Sequence, residues 1–113
     1  MKTYPINRSD GSMLAFEIGN SLVSLRRITR VLGGISGVSG VRPMAGGDDR
    51  LMFEFGGESC VVNEPFGDNS RYWIGPAFPE GSTLDMKPVQ LAFAVSQGPV
   101  SSLWNALFGE TRA

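Results

Sequence analysis

Two back-to-back runs in which apolar residues recur at every second position give this chain its clearest structural signal. Leu51, Phe53 and Phe55 alternate with Met52 and Glu54, and Cys60 and Val62 alternate with Ser59 and Val61 in the run 58–63. Gly56-Gly57 separates the two runs, and alternating runs joined by such a pair predict a β-hairpin. Residues 13–18 predict an earlier strand. Residues 71–75 predict a short aromatic strand, and residues 76–84, with two Pro and one Gly, predict a loop.

Helical spacing takes over elsewhere. Leu22, Leu25, Ile28 and Leu32 recur at near-helical intervals with Arg26, Arg27 and Arg30 on the other face. With Asn20 or Ser21 as cap and Gly33-Gly34 as a left-handed stop, a helix is predicted over 21–32. Glycines at 34, 37 and 40 fit neither period, so only 38–44 predicts a strand, at a sheet edge because of Pro43. Residues 45–49 predict a turn. Val89, Leu91, Phe93 and Val95 alternate like a strand, but Ala92, Ala94, the capping Asp85 and Pro88 favour a helix over 87–97. Val100, Leu103, Trp104, Leu107 and Phe108 predict a final amphipathic helix. The first dozen residues mix Pro5, Asn7, Ser9, Asp10 and Gly11, so residues 1–12 are expected as a flexible arm before a single domain at 13–113.

That order predicts an α+β fold: an antiparallel sheet of four to five strands with two or three helices packed on one face. The strand, the helix SLRRITRVL and the Gly37-Val38…Val41 strand entry resemble the first half of ferredoxin-like domains. The resemblance covers residues 13–62 and implies an antiparallel sheet, often dimeric. It carries no function with it.

Composition narrows the chemistry more than it identifies it. A chain of 113 residues, 42% hydrophobic and 19% charged, is sized for one core. A net charge of -1 with only two Lys lacks the basic footprint of a nucleic-acid binder, so Arg26, Arg27 and Arg30 read as a solvated face. With no His, the commonest general base, Ser-His and Cys-His pairs and His-containing zinc sites are excluded. A lone Cys60 makes no internal disulfide and, without a His, reads as inert. The opening residues lack the apolar centre of a secretory signal, and no apolar run approaches the roughly 20 residues that cross a bilayer. A cytoplasmic protein without cofactor, metal, membrane or nucleic-acid partner is therefore expected.

One segment concentrates polar and aromatic chemistry: Glu64, Asp68, Asn69, Arg71, Tyr72 and Trp73 fall within ten positions. As architecture, Pro65 to Asn69 is turn chemistry, Tyr72 and Trp73 are core or sheet-face residues, and Arg71 pairs with Glu64 or Asp68. As a site, the same residues set acceptors, a guanidinium and an indole at a hairpin end, and Trp, Tyr and Arg are the side chains most enriched at binding hot spots. The carboxylates match no known metal loop. Asp48-Asp49 reads as ordinary turn chemistry. The stretch E-P-F-G-D-N-S-R-Y-W-I-G-P resembles one found in small bacterial proteins to which no activity attaches. That likeness implies a landmark within one domain and transfers no catalytic residue. The function expected is a non-catalytic protein-interaction module, homodimeric through a sheet edge. The alternative is a polar-ligand binder or minor hydrolase using Glu64, Asp68 and Arg71. A concave pocket lined by Tyr72 and Trp73 would favour the ligand, and a flat patch would favour a protein partner.

Overall fold

A computed structural model describes residues 1–19, 23–65 and 71–96. They form β1 (Thr3–Asn7), β2 (Met13–Gly19), α1 (Leu25–Gly33), β3 (Val38–Pro43), β4 (Asp49–Phe55), β5 (Glu58–Asn63), β6 (Arg71–Pro76) and α2 (Lys87–Val95). The strands make one sheet in the order β1-β2-β6-β5-β4-β3, every neighbouring pair antiparallel. The α+β class is as expected, but the sheet has six strands rather than four or five.

The sixth strand comes from the expected flexible arm. Thr3, Tyr4 and Ile6 favour strands, and Pro5 is tolerated because β1 lies at the sheet edge, where one side of the backbone needs no ladder partner. The turn chemistry is real but confined to the next five residues. Arg8 N–H donates to the Ser12 carbonyl at 2.7 Å, and Gly11 takes a positive φ of 93°. Asp10 Oδ1 accepts from the Ser12 backbone N–H and hydroxyl at 2.9 and 2.7 Å, and those bonds hold its carboxyl below the usual range. The Met1 amino nitrogen donates to the Ala94 and Ser96 carbonyls, tying this end of the chain to α2.

The β4–β5 hairpin forms as predicted. Phe55 pairs with Glu58 across Gly56 and Gly57, whose φ values of 62° and 81° are the two positive angles a type I′ turn requires. Helix α1 starts later than predicted because Ser24 caps it, its Oγ accepting from Arg27 N–H at 3.2 Å. Asn20 and Ser21, the expected caps, lie outside the described residues. At the other end Gly34 closes the helix at φ -92°, without a left-handed turn. Residues 87–95 are helical, and the helix splits the apparent alternation. Val89 and Phe93 are buried four residues apart, while Leu91 and Val95 stay exposed. Asp85 Oδ1 accepts from Lys87 N–H at the start of this helix. The final helix predicted around 100–108 lies outside the described residues.

The ferredoxin-like order does not hold. Strand β2 leads through α1 to β3, but three strands lie between those two, and β2 pairs with β1 and β6. Helix α1 thus carries the chain across the sheet to its far edge, and β3 to β6 return strand by strand. Ile28 and Leu32 of α1 and Val89 and Phe93 of α2 meet Phe16, Ile18, Phe53, Cys60, Val62, Tyr72 and Ile74 of the sheet in one core. The Phe16 and Phe93 rings tilt against each other, with centroids 5.5 Å apart.

Candidate functional site

Strand alternation divides the polar-aromatic segment between the two faces of the sheet. Tyr72 and Ile74 of β6 point into the core, and Tyr72 is only 7% exposed. Arg71 and Trp73 point the other way. Glu64, just past β5, pairs with Arg50 Nε at 3.0 Å rather than with Arg71. Burial pushes the Tyr72 hydroxyl above its usual pKa, and the Glu64 carboxylate adds to that push while Arg50 opposes it. Asp68 and Asn69 lie outside the described residues. Tyr72 and Trp73 therefore cannot line a common pocket, and Glu64 does not join Arg71 in an acid-base pair.

Arg71 finds partners that lie far away in sequence. Its Nη1 is 3.1 Å from Glu17 Oε1 of β2, and its guanidinium carbon stands 3.5 Å from the centroid of the Tyr4 ring on β1. Lys2 Nζ is 5.4 Å from the same centroid. Register makes this a continuous row: Tyr4 pairs with Glu17, Glu17 with Trp73, Trp73 with Asn63 and Asn63 with Asp49. Asn63 Nδ2 donates to Asp49 Oδ1 at 2.9 Å. Asp49, expected in a turn, thus opens β4 and joins the row.

Trp73 is half-buried, and Gly75 explains how. A Cβ at Gly75 would stand 2.8 Å from the Trp73 Cη2 and 2.7 Å from the Ala15 Cβ. With no side chain there, the indole lies down along the sheet toward Ala15, which is fully buried although it lies off the main core. Beside the indole runs an open groove of about 330 Å³, lined among others by Asp49, Val61, Asn63, Pro65, Trp73 and Pro79. Phe78 sits between two groove-lining residues, Ala77 and Pro79, and is 78% exposed.

Cys60 is fully buried, and burial, with smaller contributions from Glu58 and Glu54, pushes its thiol up to about 12. Such a thiol carries almost no thiolate at neutral pH and is a poor nucleophile. Among the described residues, no group of three His, Cys, Asp or Glu side chains is placed to hold a metal ion. No described helix is long and apolar enough to cross a membrane.

Of the six expected site residues, the structure thus keeps Arg71 and Trp73 together and sends Tyr72 and Glu64 elsewhere. It adds Tyr4, Glu17, Asp49, Asn63 and Phe78. The polar Glu17 within an apolar strand was the one local signal for this face. No family model, curated protein or solved structure matches the chain.

Proposed function

We propose that the chain is a non-catalytic binding module that holds a protein partner on the sheet face opposite its two described helices, centred on Trp73. The observation that carries this reading is the half-exposed indole laid over Gly75, with Arg71 on one side and the open groove on the other, and exposed Phe78 following the groove-lining Ala77 along the chain. Trp73 and Tyr4 in one row, with the Arg71 guanidinium stacked on Tyr4, suit an anchor completed by a partner. An open groove encloses little of a small ligand, and Tyr72 faces away from it, which supports a protein partner over a polar ligand.

The sheet edges favour a foreign partner over self-pairing. Strand β1 carries Pro5 and a register shift between Ile6 and Asn7. Strand β3 carries Pro43, a shift between Ser39 and Arg42, and Gly40 at a positive φ of 65°. Proline and bulges are features that block edge-to-edge addition.

The test is a quantitative pull-down from the native host with the full chain, comparing wild type, Trp73→Ala and Phe78→Ala. Leu91→Ala on the exposed side of α2 serves as control, and circular dichroism first establishes that each is folded. A partner kept by the Leu91 variant and lost by the other two is expected. A partner retained at wild-type level by folded Trp73 and Phe78 variants refutes the reading.

A further inference from the structure

Among the described strand carboxylates, Asp49 and Glu58 have no cation beside them, and of the two only Asp49 lines the groove. Three strand arginines are each neutralised: Arg42 by Glu54 at 3.0 Å, Arg50 by Glu64 at 3.0 Å and Arg71 by Glu17 at 3.1 Å. Asp49 instead has a neutral partner, the Asn63 amide, and among the described residues no cation pairs with it. It lines the same groove as Trp73, Val61, Pro65 and Pro79. One row of the sheet therefore runs from a flat aromatic surface, through an amide, to a carboxylate with no cation beside it among the described residues.

We infer that the partner presents an extended segment carrying a lysine or arginine, with its stem along Trp73 and Val61 and its cationic end at Asp49. This rests on the reading of the Trp73 face as the contact surface. Asp49 and Trp73 lie two strands apart, about 10 Å at the usual strand spacing, so a long side chain crossing from indole to carboxylate fits better than a compact cation. Lysine and arginine have this build: an apolar stem that covers aromatic and aliphatic surface, and a charge held at the far end. The floor of Val61 and the proline walls offer few donors, so the segment's specificity comes from that side chain and from Asn63.

The probe is a display library of random dodecamer peptides selected on the full chain. Enriched sequences are then synthesised and titrated by fluorescence anisotropy against wild type, Asp49→Asn and Trp73→Ala. Asparagine keeps the shape of Asp49 and a bond to Asn63 while removing the charge. Enriched peptides carrying Lys or Arg are expected, with affinity falling at least about tenfold in Asp49→Asn, about 1.4 kcal/mol. Changing the peptide's basic residue to Gln should weaken wild-type binding as much and Asp49→Asn binding no further. Peptides that bind Asp49→Asn within twofold of wild type, yet are lost in Trp73→Ala, overturn the basic-segment inference and leave the contact surface standing. Peptides that bind folded Trp73→Ala as well as wild type overturn both. A library that enriches nothing overturns the extended-segment inference, while the pull-down decides the contact surface independently.

Discussion

Replacing Gly75 by alanine sets two effects of opposite sign against each other at the centre of the candidate surface. The backbone at Gly75 lies outside the left-handed region, so alanine fits its conformation. By restricting the unfolded chain, that change alone would stabilise the protein by about 0.4–1 kcal/mol. Against it stands the added methyl, 2.7 Å from the Ala15 Cβ and 2.8 Å from the Trp73 Cη2. Ala15 has no rotamer to change, and the indole escapes only by lifting off the sheet. Overpacking of this kind costs about 1–3 kcal/mol. The steric effect wins, and Gly75→Ala should lose about 1.3 kcal/mol, the difference between the midpoints of those two ranges. Urea denaturation at unchanged m-value measures it. In a Trp104→Phe background, the lifted indole should also shift its fluorescence to the red. Adding Ala15→Gly removes the closer of the two contacts and should recover part of the loss. A Gly75→Ala protein at least as stable as wild type, with unshifted emission, would show that the indole does not lie over Gly75.

Two further perturbations address the core. The Cys60 thiol is pushed up from 9.0 to about 12, so the stability it contributes is fully present below pH 9 and is lost as pH rises toward 12. The fall should be about 1.4 kcal/mol per pH unit within that window. Urea midpoints of wild type and Cys60→Ala, compared at pH 8, 10 and 11, should converge only above pH 9, and a constant difference would contradict the assignment. Phe93→Ala removes a fully buried ring that packs on Phe16 and should cost about 3–5 kcal/mol. A drop in the denaturation midpoint equivalent to less than 1 kcal/mol would mean that α2 is not seated in the core.

How far the fold can be read along the chain depends on how local each signal is. The β4–β5 hairpin is legible because register follows from two glycines and the runs beside them. Strand β3 is legible as an edge strand because Pro43 lacks the N–H a central strand must donate. Strand β1 is not, because the same five residues that form an edge strand also contain proline and asparagine, common in turns. Only pairing with β2 decides between them. Helix α2 shows the same conflict between periods. Its alternating apolar residues fit a strand until packing buries Val89 and Phe93 and leaves Leu91 and Val95 outside.

Taken alone, the residues of 64–73 determine a dense set of acceptors, a guanidinium and aromatic rings, and β alternation already implies that Tyr72 and Trp73 face opposite ways. Which face is buried depends on the side the helices cover. Arg71 meets Glu17 and Tyr4, and Trp73 comes to lie in a row with Asn63 and Asp49, only because β6 closes against β2 and β5. Arg71 and Glu17 stand 54 residues apart, and no spacing along one strand encodes a partner on another. Side-chain type and local period are properties of the chain. The neighbours that turn them into a surface are set by long-range strand pairing, which the burial of the common core selects.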